Sequence, residues 1–255
     1  MTDRLKILDF WADPLTRAEC LEKVSGYLEE DGGVHTIFAV NPEKNFAARK
    51  DGALQHTLES ADLLIPDGIG VVLAARILYG ARLSRVPGVE FMEAICALAA
   101  KGGYKVFFYG AREEVNKQAV EILRGRYPGL NIVGRSNGYV KEEEMASLVK
   151  KINASGAEVL FLALGSPKQE NWISAYKDAL KTVRVCQGIG GTLDTIAGRV
   201  KRAPKIWCRL SAEWLYRLLS EPRRIKRQKV LPIFAVMVVL AKLRQGATRT
   251  TLENR

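Results

Sequence analysis

The sequence predicts an α/β fold: a Rossmann-like, mostly parallel sheet with flanking helices, followed by a C-terminal basic helical appendage. Short apolar runs of about five residues alternate with helical stretches of about 10–15 residues, which is the order of repeated βαβ units. Polar and glycine-rich turns follow the apolar runs, and basic residues concentrate near the C terminus. A chain of 255 residues is long enough for one sizeable domain plus an appendage.

The first part of the chain contains two predicted strands, each followed by helical spacing. The strands are Thr36–Val40 and Ala61–Ile65. Apolar residues at helical intervals predict helices over Asn45–Gln55, Gly70–Tyr79 and Val89–Ala100. This order begins the βαβ pattern.

The middle of the chain continues the same alternation. Its apolar runs predict the strands Lys105–Tyr109, Asn131–Arg135, Val159–Leu164 and Val183–Gln187. Its helical patterns cover Glu113–Arg126, Glu142–Ala154 and Gln169–Lys181. Ligands of parallel α/β sheets bind outside the carboxyl ends of the strands, so the turns there are the candidate site.

Two of these turns contain acids and an amide. Asn41-Pro42-Glu43 follows the first strand, and Pro66-Asp67-Gly68 follows the second. A carboxylate in this position could act as a general base toward a hydroxyl group. Asp67 could equally be a turn residue, and Asn41 a helix N-cap.

A third turn, Gly165–Glu170, has the composition of a helix start. Ser166 is suited to cap the helix, and Pro167 to be its first residue. Lys168 beside a helix N-terminus would make an anion site that suits a diphosphate.

A fourth turn, Gln187–Thr192, is rich in glycine. It lacks the third glycine of the dinucleotide fingerprint and lies far from the N-terminal βαβ unit, where that fingerprint is usually found. Close approach of the backbone to a phosphate is its natural use. Arg85, in a loop between helices, could contact a phosphate or be a solvated surface residue.

The net charge of +11 is carried by the C-terminal segment. Residues 199–255 contain 15 lysines and arginines and three acids, which leaves 24 basic and 25 acidic residues in the preceding 198. We therefore predict an α/β catalytic domain over 1–198 and a basic amphipathic appendage over 199–255. Such asymmetry indicates an anionic partner, either a nucleic acid or a lipid surface, although a solvated basic face is the simpler alternative.

The appendage combines cationic and apolar segments. Trp207–Ser220 is amphipathic, Arg223–Lys229 is strongly basic, and Leu231–Leu243 reads as an apolar helix. Cationic and apolar surfaces together favour an interfacial helix on lipid. The longest apolar run, Val230–Ala241, has about a dozen residues and contains Pro232, whereas a membrane span needs about twenty.

Several classes of site are disfavoured by composition. The four cysteines are widely spaced, which predicts structural or incidental thiols in a reducing compartment: Cys20, Cys96, Cys186 and Cys208. Only two histidines are present and neither lies near a second plausible ligand, so we predict no zinc site. The charged opening of the chain predicts no signal peptide.

Six segments in order resemble the WecG/TagA/CpsF family, glycosyltransferase family 26, from about Ile37 to Leu243. They are NPEKNF, IPDGIGVV, SRVPGVEF, LGSPKQENW, GIGGTLDTIAGRVKRAP and EWLYRLLSEPRRIKR. The resemblance implies an inverting, metal-independent transfer of a hexose, N-acetylmannosamine or a glucose-type sugar, from a UDP-sugar. The implied acceptor is a polyprenyl-diphosphate-linked sugar on the cytoplasmic face of the bacterial membrane, in teichoic acid or cell-surface polysaccharide assembly.

The resemblance also implies roles for individual residues. Asp67 matches the proposed catalytic base. The positions expected around the donor are Asn41, Arg85, Tyr139, Gln169, Gly190, Gly191 and Asp194. The arginines expected to close over the site and hold the lipid diphosphate are Arg217, Arg224 and Arg227. Many members have threonine two residues before the asparagine, where this chain has Ala39, so the donor sugar is not specified.

The expected partners are therefore the UDP-sugar, the lipid-linked acceptor and an anionic membrane surface, with no cofactor, no nucleic acid and a possible homo-oligomer. Two other classes stay open. A nucleotide-binding oxidoreductase would need the glycine fingerprint near its N-terminus. A nonenzymatic membrane- or nucleic-acid-binding module would need only the basic segment.

Overall fold

The structure, a computed structural model, describes residues 4–30, 32–200 and 229–253, together with four isolated positions between 204 and 216. Side chains are described as far as Gln245. Most of the predicted helix over 207–220 and most of the basic run after it lie outside the described residues, as do Arg217, Arg224 and Arg227.

A small antiparallel hairpin precedes the central sheet. Its strands are β1 (Leu5–Ile7) and β2 (Phe10–Ala12). The sheet itself has six strands: β3 (His35–Val40), β4 (Leu63–Pro66), β5 (Lys105–Gly110), β6 (Asn131–Ser136), β7 (Val159–Ala163) and β8 (Val185–Gly188). Their spatial order is β4-β3-β8-β7-β5-β6, and every neighbouring pair is parallel. The predicted Rossmann-like α/β fold is confirmed.

Helices cover both faces of the sheet. One face packs against α1 (Arg17–Glu29), α5 (Gly88–Gly102), α6 (Glu113–Arg126) and α9 (Thr192–Ile196). The other packs against the hairpin and against α2 (Pro42–Ala48), α3 (Gly52–Glu59), α4 (Ile69–Tyr79), α7 (Glu142–Ala154), α8 (Lys168–Tyr176) and α10 (Val230–Glu253). A short 3₁₀ helix, Lys177–Ala179, follows α8.

Both faces of the sheet are apolar because each is buried under helices. Successive residues of β5 point to opposite faces. Phe108 stacks on Phe161 in one core, with ring centroids 5.1 Å apart, and Tyr109 contacts Trp172 in the other at 5.4 Å. The sheet is thus the shared wall of two cores.

The predicted helices α6 and α7 are confirmed with the expected bounds. The single helix expected over Asn45–Gln55 is wrong, since the chain forms two helices there. The first ends at Ala48, and Asp51 caps the second, because its Oδ1 accepts the N–H groups of Ala53 and Leu54 at 3.1 Å. The hairpin, α1 and α9 were not predicted.

The C-terminal helix α10 packs against α4 and α2. Phe234 and Val238 are buried there, and Phe234 stacks on Phe10 of the hairpin at 6.4 Å. Lys242 donates from Nζ to the carbonyl of Leu78, in the last turn of α4, at 2.9 Å. Among the described residues, no helix has the length and apolarity needed to cross a membrane.

Candidate functional site

The carboxyl ends of four adjacent strands, β4, β3, β8 and β7, bring most of the predicted site residues to one edge of the sheet. After β3 the chain turns to one face, into α2, whereas after β8 it turns to the other, into α9. Such a reversal between adjacent strands opens a crevice at the edge of the sheet. Residues that follow these four strands are Asp67, Asn41, Gly190, Gly191, Lys168 and Gln169.

Asp67 lies directly after β4 and is half-buried. Its N–H donates to the carbonyl of Val40 at 2.9 Å, which holds it against the end of β3. A β-carbon on Gly88, the first residue of α5, would lie 3.9 Å from Asp67 Oδ2 and 3.6 Å from Ala39 Cβ. The carboxylate of Asp67 and the methyl group of Ala39 therefore both lie near the start of α5.

The loop that contains Arg85 runs beside the end of β4. The N–H of Val86 donates to the carbonyl of Pro66 at 2.8 Å, one residue before Asp67. Arg85 is half-buried. This backbone contact holds the loop that contains Arg85 beside the end of β4, and the role of Arg85 at the site stays a prediction.

Three helices begin at this edge without a side-chain cap among the described residues. Their N-cap positions are Gly68 for α4, Pro87 for α5 and Pro167 for α8. Gly68 has φ +94°, a conformation that favours glycine. Backbone N–H groups in the first turn of a helix have no partner within the helix, and they attract anions.

Two expectations about helix starts have different outcomes. Asn41 is the N-cap of α2, since its Oδ1 accepts the N–H of Lys44 at 3.0 Å, and this is the simpler of its two alternatives. The expectation that Ser166 caps α8 with Pro167 as first residue is wrong. Pro167 itself occupies the N-cap position, and α8 begins at Lys168, which is exposed.

Gln169 is 3% exposed and lies in a buried polar network. Its Oε1 accepts the N–H of Gly190 at 2.9 Å, and its Nε2 donates to Glu170 Oε1 at 3.1 Å. Glu170 Oε1 also lies 2.7 Å from Lys44 Nζ, which stands over the ring of Phe38 at 5.1 Å. These contacts join α2, the first turn of α8 and the turn that follows β8.

Lys44 and Glu170 were not predicted as site residues, although both lie in the segments NPEKNF and SPKQENW. Helical periodicity could have indicated that both side chains are buried, since each lies on the buried side of a short helix. Their pairing joins two helices that are more than a hundred residues apart in sequence. Only the folded chain shows it.

The turn after β8 is shaped by glycines. Gly190 has φ +53°, in the left-handed region. A β-carbon on Gly191 would lie 3.9 Å from Asp194 Oδ2, so the carboxylate of Asp194 faces this turn. The carbonyl of Asp194 accepts the N–H groups of Arg199 and Val200, which ends α9.

Tyr139 does not join the other predicted residues. It is 73% exposed and follows β6, at the opposite edge of the sheet from β4 and Asp67. In the described part of the chain, no three His, Cys, Asp or Glu side chains are grouped as a metal site would require. The thiols of Cys20, Cys96 and Cys186 are free and buried, and burial raises the pKa of Cys20 to about 12.

Residues 5–248 match the model of the glycosyl transferase WecG/TagA/CpsF family. The match begins in the hairpin and ends within α10, so it includes the whole sheet and most of the C-terminal helix. The chain therefore belongs to this family of glycosyltransferases, which act in the assembly of cell-surface polysaccharides.

Proposed function

We propose that this glycosyltransferase transfers a hexose from a UDP-sugar to a polyprenyl-diphosphate-linked sugar, with inversion at the anomeric carbon and without a metal ion. The observation that carries the proposal is the position of Asp67. Its carboxylate lies near Gly88 at the carboxyl edge of the sheet, beside helix starts that have no side-chain cap among the described residues. A carboxylate that could act as a base and helix starts that could bind an anion together support the proposal.

In the proposed reaction, the acceptor hydroxyl attacks C1 of the donor sugar while Asp67 takes the hydroxyl proton. A new C1–oxygen bond forms on the side opposite to the leaving group. The old C1–oxygen bond breaks, and its electron pair leaves with UDP. Attack from the opposite side accounts for inversion.

The departing diphosphate gathers negative charge, which the protein must stabilise. Lys168 at the start of α8 and Arg85 beside β4 are the cationic side chains proposed for this role. The backbone N–H groups that begin α4, α5 and α8 would add to it. We assign Asn41, Gly190, Gly191 and Asp194 to the surroundings of the donor, and Arg217, Arg224 and Arg227 to the lipid diphosphate.

A peripheral position on the cytoplasmic membrane face is part of the proposal. One side of α10 exposes a stripe of large apolar residues: Ile233, Val236, Val239, Leu240 and Leu243. Leu73 and Ile77 are exposed on α4, against which α10 packs. Two cationic side chains are also exposed: Arg76 on α4, and Lys229 directly before α10. Apolar and cationic groups together suit an anionic bilayer surface.

The direct test is a screen of UDP-sugars for UDP release in the presence of a polyprenyl-diphosphate-linked sugar in vesicles. We expect release that requires both a UDP-hexose and the acceptor, with no change on addition of a chelator. Absence of release with every UDP-hexose, together with binding of NAD(P)H, would instead support the oxidoreductase alternative. Because the donor pocket has Ala39 where a hydroxyl is usual, the screen must include N-acetylmannosamine and glucose donors.

A further inference from the structure

We propose that the buried Lys44–Glu170 ion pair, acting through Gln169, holds the glycine-rich turn after β8 in the conformation that binds the donor diphosphate. Lys44, Glu170 and Gln169 are then positioning residues of this enzyme. The inference rests on the proposed function in one respect, since it takes this turn to be part of the donor site. It also reassigns Gln169, which the family resemblance places around the donor itself.

Three successive contacts lead from Lys44 through Glu170 and Gln169 to Gly190. Lys44 Nζ lies 2.7 Å from Glu170 Oε1, Gln169 Nε2 lies 3.1 Å from the same oxygen, and Gln169 Oε1 lies 2.9 Å from the amide nitrogen of Gly190. An ammonium group only donates, and a carboxylate only accepts. The Gln169 amide must therefore present its NH₂ group to Glu170 and its carbonyl to Gly190. The charge pair fixes which way the amide points.

Because the Lys44–Glu170 ion pair is buried, it has a strong effect on the orientation of the Gln169 amide. Glu170 is fully buried and Lys44 is 6% exposed. A buried ion pair is a weak device for stability alone, since apolar residues of similar volume often serve as well. Moreover, neither Glu170 Oε2 nor Lys44 Nζ has a hydrogen-bond partner among the described residues, so the 2.7 Å contact between Nζ and Oε1 is an ion pair without hydrogen-bond geometry. A pair that leaves one oxygen unsatisfied is better explained by what it orients than by what it stabilises.

The backbone beside Gln169 is shaped for the same contact. A β-carbon on Gly188 would lie 2.5 Å from Gln169 Nε2 and 3.0 Å from Phe38 Cδ1, so glycine leaves the space in which the amide lies. Two residues later, Gly190 has φ +53° and gives its N–H to that amide. The side chain of Gln169, in the first turn of α8, thus holds the turn after β8.

The experiment compares three variants of the full-length enzyme: Lys44→Met, Glu170→Gln and Gly188→Ala. The first two remove the charges, and the third displaces Gln169 without removing a polar group. We measure the Kd for UDP by calorimetry, the steady-state constants, and the exchange rate of the Gly190 amide. Each variant is expected to raise the UDP Kd and the donor KM about tenfold, to leave the acceptor KM unchanged, and to speed Gly190 exchange.

Two further variants guard against a purely structural explanation. Arg4→Met breaks another ion pair, with Asp13 at 3.0 Å, which lies on the hairpin and makes no contact with the turn. It is expected to lower the melting temperature and leave the UDP Kd unchanged. Lys44→Arg keeps the cation and should restore most of the donor affinity that Lys44→Met loses.

The inference is overturned if Lys44→Met and Glu170→Gln lose stability as Arg4→Met does, yet bind UDP and exchange Gly190 as the wild type does. Failure of the proposed function looks different. In that case the wild type does not bind UDP, while Gly190 exchange still speeds up in the variants. The ion pair would then still be shown to order the turn, although the turn would not be a UDP site.

Discussion

Asp67 and Ala39 both border the start of α5, since a β-carbon on Gly88 would lie 3.9 Å from Asp67 Oδ2 and 3.6 Å from Ala39 Cβ. The methyl group of Ala39 leaves room and offers no hydrogen bond. In the proposed reaction, a sugar hydroxyl or acetamido group beside Ala39 must therefore find its hydrogen-bond partner elsewhere.

Replacement of Asp67 by asparagine tests the base directly. We expect kcat to fall about 10²–10⁴-fold, because the amide cannot take the acceptor proton, while the Kd for UDP stays near the wild-type value. Turnover is measured with a UDP-sugar and a polyprenyl-diphosphate-linked acceptor. The matched control is Asp62→Asn, before the other end of β4, where the carboxylate accepts the N–H of Thr36 at 2.8 Å. The control should keep its kcat, and wild-type turnover in Asp67→Asn would remove the base role.

Gln187 leads to a prediction about stability. It is fully buried in β8, in register with Ile37 and Phe161, and neither its Oε1 nor its Nε2 has a partner among the described residues. An unsatisfied buried amide costs about 1–3 kcal/mol. Gln187→Met should therefore raise the free energy of unfolding by about 1–2 kcal/mol in urea denaturation.

The control for this measurement is Gln55→Met, which removes a surface contact with Glu59 and should change the same free energy by less than about 0.5 kcal/mol. A loss of stability in Gln187→Met would show that the amide is satisfied in solution. In that event an ordered water in the core is the first candidate partner.

At the scale of elements, the sequence predicts best where one helix or strand carries its own signal. The acids that open α7 and the turn after Arg126 at the end of α6 are local features, and both helices have the predicted bounds. Asp51 was overlooked because the apolar spacing runs on through it, although its side chain caps a new helix. The strands of the hairpin have three residues each, too few for periodicity to be visible.

In the candidate site, too, local sequence patterns predict some features and not others. The turns that hold Asp67, Asn41 and Gly190 could be located from the sequence, because each directly follows an apolar strand. The contact of Gln169 with Gly190, and of Lys44 with Glu170, depends on strand order in the sheet. Strand order is a property of the tertiary fold, and no local pattern records it.

The stripe on α10 carries a prediction about membrane binding. In Val236→Glu/Leu240→Glu, two exposed apolar side chains become charged. We expect affinity for anionic vesicles to fall at least about tenfold, because burial of each such side chain contributes about 1.5–3 kcal/mol. Co-sedimentation with vesicles measures the effect.

The control, Ala235→Glu/Gln245→Glu, adds the same charge at exposed positions of α10 outside the stripe. It should lose much less affinity. If vesicle binding is unchanged in the first variant while a dimer in solution becomes a monomer, then the stripe is a dimer interface and the bilayer is bound elsewhere.

At the scale of the whole molecule, the separation of charge is the dominant property. Residues 1–198 are nearly neutral, and 199–255 carry the excess of cations. On the proposed anionic surface, the nearly neutral residues 1–198 would gain little from electrostatic attraction, so the C-terminal segment would determine how the molecule is oriented. The position of the proposed division at residue 199 stays a prediction.

The arginines assigned to the lipid diphosphate are tested together. Arg217→Gln/Arg224→Gln/Arg227→Gln should lose most acceptor-dependent turnover and raise the acceptor KM, while the UDP Kd changes little, because these cations are proposed to bind the acceptor. The control removes the same charge from three exposed lysines on α5, α6 and α7, namely Lys101, Lys117 and Lys150. Equal losses of turnover in both variants would show that net charge alone matters.

The hydrogen bond from Lys242 to Leu78 has a geometric consequence. It fastens α10 to the last turn of α4, and α4 begins two residues after Asp67. An α-helix rises about 1.5 Å per residue, so the eleven residues of α4 measure about 16 Å. In the proposed position on the membrane, α4 would connect the lipid-facing side of α10 to Asp67, and its length would set the height above the bilayer at which a sugar is glycosylated. We then expect an acceptor whose sugar lies at another height to bind without turnover.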